Sequence, residues 1–131
     1  MELGSIRWLR VLLIGIAAEF ALMIVVAPLF LMGGQEAMNI GVSPATLVVF
    51  VPFGLWTARP LQSRFILHGV LMGVAGVIFY NAMNFGATSL PGAPPLDLAQ
   101  LFSPLYLLSH ALKLVGGGIG GWLASRRRQS A

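Results

Sequence analysis

Residues 6–32 read IRWLRVLLIGIAAEFALMIVVAPLFLM, an apolar stretch that is long enough to form a membrane-spanning helix. About 20 apolar residues suffice to cross roughly 30 Å of hydrocarbon. The composition of the whole chain agrees with this, because 57% of its 131 residues are hydrophobic and only 9% are charged. A soluble domain keeps about a quarter of its residues charged. The sequence therefore predicts an all-α integral membrane protein.

Three further apolar segments follow the first, at residues 44–58, 65–85 and 101–124. We expect a bundle of four transmembrane helices that forms a single domain over residues 1–131. The second segment is short for a spanning helix, and Pro52 interrupts it. Such a segment is found at binding sites in transporters, but it is equally typical of an ordinary kink.

The basic residues lie beside the apolar segments. In a four-helix arrangement, seven of the eight fall on one side of the membrane: Arg7, Arg10, Arg59, Arg64, Arg126, Arg127 and Arg128. The positive-inside rule makes that side cytoplasmic, so that both termini lie inside the cell, and the same residues are suited to lipid headgroups. Because the basic residues stand at the membrane edge, we expect no nucleic-acid partner.

A short pattern, R-x-x-L-x-G, occurs at residues 10–15 and again at 64–69. Together with the similar endings GLWTAR and GGWLASR, it predicts a duplicated helical hairpin over residues 1–60 and 61–131. The alternative is that inner-membrane helices commonly begin with Arg and end with Trp and Arg.

One carboxylate and one lysine lie inside apolar segments. Counted from the basic ends at 1.5 Å per residue, Glu19 lies about 13 Å deep and Lys113 about 20 Å deep. An unpaired charge in the membrane costs a few kcal/mol, which favours contact between the two side chains. His110 and Tyr106 share a helical stripe with Lys113 because they precede it by three and seven residues. We expect these four residues to form an intramembrane polar site.

Small residues recur at helical spacing and predict close helix contacts. They are Gly15, Gly69, Gly73, Gly76, Gly116, Gly117, Gly120 and Gly121. The remaining polar residues of the segments are expected in simpler roles. His68 is interpreted as an interfacial group, while Asn81 and Asn84 are expected to bind the loop that follows them.

The chain shows two resemblances. The chain looks like several uncharacterised families of small four-helix bacterial inner-membrane proteins. The shared features are arginine at the first segment and the closing stretch GGGIGGWLASRRR (residues 116–128). This resemblance implies a bacterial inner-membrane location but no activity. GIAAEFALM (residues 15–23) is similar to the first span of small multidrug resistance transporters, whose span-one glutamate binds protons and cationic drugs. This implies the same role for Glu19, although a nearby Lys113 would disfavour a cationic drug.

The sequence leaves three functions open. The leading hypothesis is a non-enzymatic accessory or assembly subunit, or a small homo-oligomer, that acts through contacts between helices and has lipid or another membrane protein as its partner. The alternative is a small proton-coupled transporter that uses Glu19 with Lys113 and His110. A third hypothesis is a pigment- or haem-binding subunit that uses His110. With no cysteine and no recognisable catalytic motif, we expect no metal site and no cofactor, and the sequence favours a non-enzymatic role without deciding it.

Overall fold

The computed structural model of the protein describes residues 6–93, 95 and 97–129. Its helices are α1 (Trp8–Ala58), α2 (Phe65–Thr88), the single turn α3 (Leu98–Leu101) and α4 (Pro104–Gln129). The described residues contain no strand, which agrees with the predicted all-α class. The ends of the predicted domain 1–131, and of the duplication that would fill it, lie outside the described residues, and the duplication stays a prediction.

The prediction of four separate helices is wrong, because the structure has three long helices. α1 runs through the first two predicted segments, and the residues expected to connect them are helical except at Gly34. Gly34 has φ 65° and ψ −157°, a backbone region that essentially only glycine adopts. A single residue therefore interrupts the helix where the glycine-rich sequence predicted a loop.

The break at Gly34 lets α1 fold back on itself. We call residues 8–33 the first arm and residues 35–58 the second arm. The Arg10 side chain of the first arm donates hydrogen bonds to the carbonyls of Trp56, at 2.6 Å, and Thr57, at 3.1 Å, near the end of the second arm. α1 is therefore a hairpin whose two ends lie together.

α4 packs against both α2 and α1 through two rows of glycine. Gly116 and Gly120 lie against the second arm of α1, whereas Gly117 and Gly121 lie against α2. A Cβ atom on any of these four residues would fall 3.0 Å or less from an atom of the neighbouring helix. The two overlapping G-x-x-x-G pairs thus serve two different neighbours, and the absence of side chains lets the backbones approach closely.

The surface of the bundle is apolar and its interior contains polar side chains. Leu31 and Met32 are 81% and 89% exposed, whereas Glu19, His68 and Lys113 are at most 2% exposed. This distribution is the reverse of that in a water-soluble protein, where charged side chains are almost never fully buried unless paired. It is the distribution that a lipid environment favours.

Two helices, α1 and α2, are long and apolar enough to cross a membrane, judged by length and composition. α4 covers most of the predicted span 101–124 but is not one of these two. Its glycines, His110 and Lys113 make it less apolar than a typical spanning helix. In this bundle α4 is instead the helix that contacts the other two long helices most extensively.

Candidate functional site

The first arm of α1 and α4 bring Glu19 and Lys113 together. Lys113 Nζ lies 2.6 Å from Glu19 Oε1, and both side chains are buried. The second carboxylate oxygen, Oε2, is buried and has no hydrogen-bond partner among the described residues. The carboxylate is therefore paired with Lys113 through Oε1, while Oε2 lacks a hydrogen-bond partner among the described residues.

Two glycines make room for this ion pair. Gly15, one helical turn before Glu19, lies against α2, where an added Cβ would be 2.7 Å from the Met72 carbonyl oxygen. Gly76 of α2 lies beside the carboxylate, and its Cβ would be 2.9 Å from Glu19 Oε1. Because both residues lack a side chain, α2 comes close enough to form one wall of the site.

Aromatic rings surround the ammonium group of Lys113. Its Nζ lies 4.5 Å from the centre of the Tyr80 ring and 5.9 Å from that of Phe50. A cation over an aromatic face is stabilised by the ring quadrupole, and this attraction is strongest where water is excluded. The ammonium group thus has attractive partners in addition to Glu19.

A second polar cluster connects α2 and α4. The Tyr106 hydroxyl donates to Asn81 Oδ1 at 2.5 Å, and Asn81 Nδ2 lies 3.4 Å from His110 Nε2. The rings of Tyr106 and His110 are stacked edge to face, with centroids 4.2 Å apart. Asn81 therefore binds α4, and the expectation that it binds the following loop is wrong.

His110 is enclosed by this cluster. The Tyr80 ring packs on it as well, with its centroid 5.4 Å away, and Nδ1 is buried without a hydrogen-bond partner among the described residues. Of the four residues predicted for the polar site, Glu19 and Lys113 are in direct contact and Tyr106 and His110 are in direct contact. Tyr80 touches both pairs, since its ring lies against Lys113 and His110.

A cavity of about 350 Å³ extends from Glu19 between the two arms of α1. Glu19 and Tyr80 supply its polar groups, and the remaining lining is apolar: Leu22, Met23, Val26, Ala27, Phe30, Met38 and Val42. The volume is that of a small-molecule site, and such sites are typically apolar with a few placed polar groups. The cavity accordingly suits an apolar molecule that ends in a hydrogen-bonding group.

Several arginines meet at the end of the bundle where α1 closes. Arg10 binds the last turn of α1, and Arg128 donates to the Leu61 carbonyl in the connection to α2. The backbone N–H of Arg7 donates to His68 Nε2 at 3.3 Å. His68 is 1% exposed and lies buried beneath the start of α1, while its predicted position near the membrane interface stays a prediction.

Tyr80 and Phe50 belong to the site but were not predicted from the sequence. Tyr80 could have been predicted from the sequence, because it follows Gly76 by four residues and so continues the stripe of Gly69, Gly73 and Gly76. No sequence feature marked Phe50 as a site residue, since an aromatic residue in an apolar segment is ordinarily part of the core. Its position depends on the fold of α1, which the sequence did not reveal.

The chain matches no protein family, no curated protein and no solved structure. A helical fold alone does not determine an activity, so the function must follow from the chemistry of the site.

Proposed function

We propose that the protein is a small integral membrane transporter that exchanges a proton on Glu19 for a small, mainly apolar molecule with a hydrogen-bond donor. The observation that carries this proposal is the position of Glu19, which is paired with Lys113 and also forms the polar end of the apolar cavity. The residue that pairs with Lys113 therefore also lines a cavity of the size of a small-molecule site.

The cavity and the ion pair support one cycle. With Glu19 ionised, Oε2 accepts a hydrogen bond from the molecule in the cavity. A proton that binds the carboxylate removes its charge, which weakens both this hydrogen bond and the ion pair with Lys113. The ammonium group is still held over the rings of Tyr80 and Phe50, so the pair can separate without leaving a charge in an entirely apolar environment.

The leading sequence hypothesis, an accessory or assembly subunit or a small homo-oligomer that acts through helix contacts, stays a prediction. All eight glycines on which it depended lie against neighbouring helices of the same chain. Small residues that are already covered do not provide a surface for a partner. Transport therefore accounts for more of the observed site than helix contacts with another protein.

The proposal includes a location in the bacterial inner membrane, with the arginine-bearing end facing the cytoplasm. The contacts of Arg10 and Arg128 place both at the end of the bundle where α1 closes. Arg59 and Arg64 flank the connection between α1 and α2 at the same end. The positive-inside rule supports this orientation.

The test uses purified protein in liposomes with an imposed pH gradient, and radiolabelled diphenylamine as an apolar probe with a single N–H donor. We expect the wild-type protein to accumulate the probe above the level of empty liposomes, and Glu19→Gln to abolish the difference. Glu36→Gln, the matched control, removes an exposed carboxylate outside the cavity and should transport normally. Equal accumulation by wild type and Glu19→Gln would overturn the proposal.

A folding control separates loss of transport from loss of structure. If Glu19→Gln elutes abnormally on size exclusion, the double variant Glu19→Gln/Lys113→Met is used in its place. It removes both charges and leaves no unpaired charge in the interior. We expect this variant to fold and still fail to accumulate diphenylamine. Transport by a folded double variant would show that Glu19 is dispensable and contradict the proposal.

A further inference from the structure

A second cavity lies near the arginine-bearing end, far along α1 from the Gly34 break. Its volume is about 360 Å³, and it is lined by Leu9, Arg10, Leu13, Ile14, Ala17 and Trp56. Five of these residues belong to the first arm of α1, and Trp56 closes the groove from the second arm. We call this surface the Arg10 groove.

The groove is apolar along its length and basic at one end. Leu9, Leu13 and Ala17 follow each other every four residues, so they form one stripe of about 12 Å along the helix. Leu9 and Leu13 are 72% and 58% exposed. The stripe has the shape and chemistry of a surface that takes an alkyl chain.

Arg10 is fixed at the basic end. Its Nε and Nη2 donate to the carbonyls of Thr57 and Trp56, which hold the guanidinium in place. Since a guanidinium carries five N–H donors, these two bonds leave others for an anion. Arg7, one helical turn away, adds a second positive charge, and among the described residues no acidic side chain lies at this end.

We propose that the Arg10 groove binds one anionic phospholipid, with the phosphate on Arg10 and an acyl chain along Leu9, Leu13 and Ala17. The positive charges of Arg10 and Arg7 favour a headgroup with a net negative charge, and a fixed guanidinium forms strong, charge-assisted hydrogen bonds with its phosphate. Trp56, which is 53% exposed, stands where an aromatic ring meets the headgroup region. The site is separate from the Glu19 cavity and does not depend on transport.

The test is native mass spectrometry of the detergent-solubilised protein titrated with dioleoyl phosphatidylglycerol or dioleoyl phosphatidylcholine. We expect tighter binding of the first phosphatidylglycerol, and Arg10→Gln to weaken it about fivefold, which is the usual effect of one basic residue at an anionic membrane. Arg127→Gln, the matched control, removes an equal charge from the exposed end of α4, outside the groove, and should weaken binding of the first lipid less than Arg10→Gln does. Equal affinity for both lipids, or equal losses in the two variants, would overturn the proposal.

A second variant tests the groove without disturbing the bonds of Arg10. Ala17→Trp fills the stripe and should abolish binding of the first lipid, whereas Ala111→Trp, on the exposed face of α4, should not.

Glycerol 3-phosphate has the anion but no acyl chain, so it should not displace phosphatidylglycerol. Displacement would assign the site to free phosphate. A dimer that Ala17→Trp dissociates would assign the groove to a second copy of the chain. Either result overturns the proposal. We expect Glu19→Gln to bind the lipid normally, so a failure of the transport proposal would leave the lipid proposal unaffected.

Discussion

Gly76 of α2 lies directly against the carboxylate of Glu19, so that an added Cβ would be 2.9 Å from Oε1 and 3.1 Å from the Phe50 ring. This contact explains how three helices come together around a buried charge. The same oxygen, Oε1, lies 2.6 Å from Lys113 Nζ and faces the backbone of α2 at Gly76. Any side chain at residue 76 must displace either the carboxylate or the ring.

Gly76→Ala is therefore expected to destabilise the protein by about 1–3 kcal/mol, the usual cost of an extra methyl group in a tightly packed core. The measurement is the free energy of unfolding in mixed detergent micelles. Gly86→Ala is the matched control, because it also lies in α2 and a Cβ there meets nothing within 4 Å. We expect the control to be as stable as the wild type or slightly more so. Equal stability of the two variants would show that α2 does not approach Glu19 so closely.

The ion pair makes a different prediction. Glu19→Gln or Lys113→Met alone leaves the other charge buried, which costs about 3–5 kcal/mol. The double variant removes both charges and should recover much of that loss. The checking experiment is a double-mutant cycle on the unfolding free energy, with Glu36→Gln as the exposed-carboxylate control. Additive losses in the double variant would mean that the two side chains do not interact.

The sequence predicted this pair from depth and charge, without any knowledge of the helix packing. Two opposite charges at similar depth in apolar segments have a strong physical reason to meet, so a count along each helix was sufficient. The glycine stripes were equally readable, because helix spacing alone places such residues on one face. These features depend on local periodicity, which a single sequence contains.

The continuity of α1 could not be predicted in the same way. A glycine-rich stretch between apolar segments is typical of a loop, but Gly34 alone departs from helical geometry there. Asn81 was misplaced for a related reason: its partner Tyr106 belongs to another helix, and its contact depends on the rotation of α2 against α4. Long-range rotations of this kind are set by packing and leave no mark in the periodicity of one helix.

Tyr106→Phe tests the second polar cluster. The substitution removes the hydroxyl that donates to Asn81 Oδ1 and keeps the ring that packs on His110. We expect the free energy of unfolding to fall by about 1 kcal/mol, which is the typical contribution of one hydrogen bond. Tyr80→Phe is the control, because no described residue binds the Tyr80 hydroxyl. The measurement is the midpoint of thermal unfolding in detergent, and an equal effect of both variants would contradict the assigned hydrogen bond.

The hairpin shape of α1 leads to a further prediction. In the structure Gly41 lies against the Leu29 side chain, whereas in a straight helix residues 29 and 41 would be about 18 Å apart. Because the chain has no cysteine, Leu29→Cys/Gly41→Cys introduces a unique pair, which we expect a short bis-maleimide to crosslink within one molecule. Ile24→Cys/Gly41→Cys should not react in this way, since Ile24 is 72% exposed on the outer surface. A crosslink in neither pair would mean that α1 is extended.

The same pair tests the role of Gly34. Its φ of 65° and ψ of −157° are strained for any residue with a Cβ, and a Cβ there would meet no neighbouring atom within 4 Å. Gly34→Ala therefore isolates backbone strain, with an expected loss of about 1–3 kcal/mol in the free energy of unfolding. Because the strained geometry is what reverses the chain, the variant should also crosslink less efficiently through Leu29→Cys/Gly41→Cys. Gly86→Ala in the same background should crosslink fully, and a Gly34→Ala protein that matched it in stability and yield would show that the reversal does not need glycine.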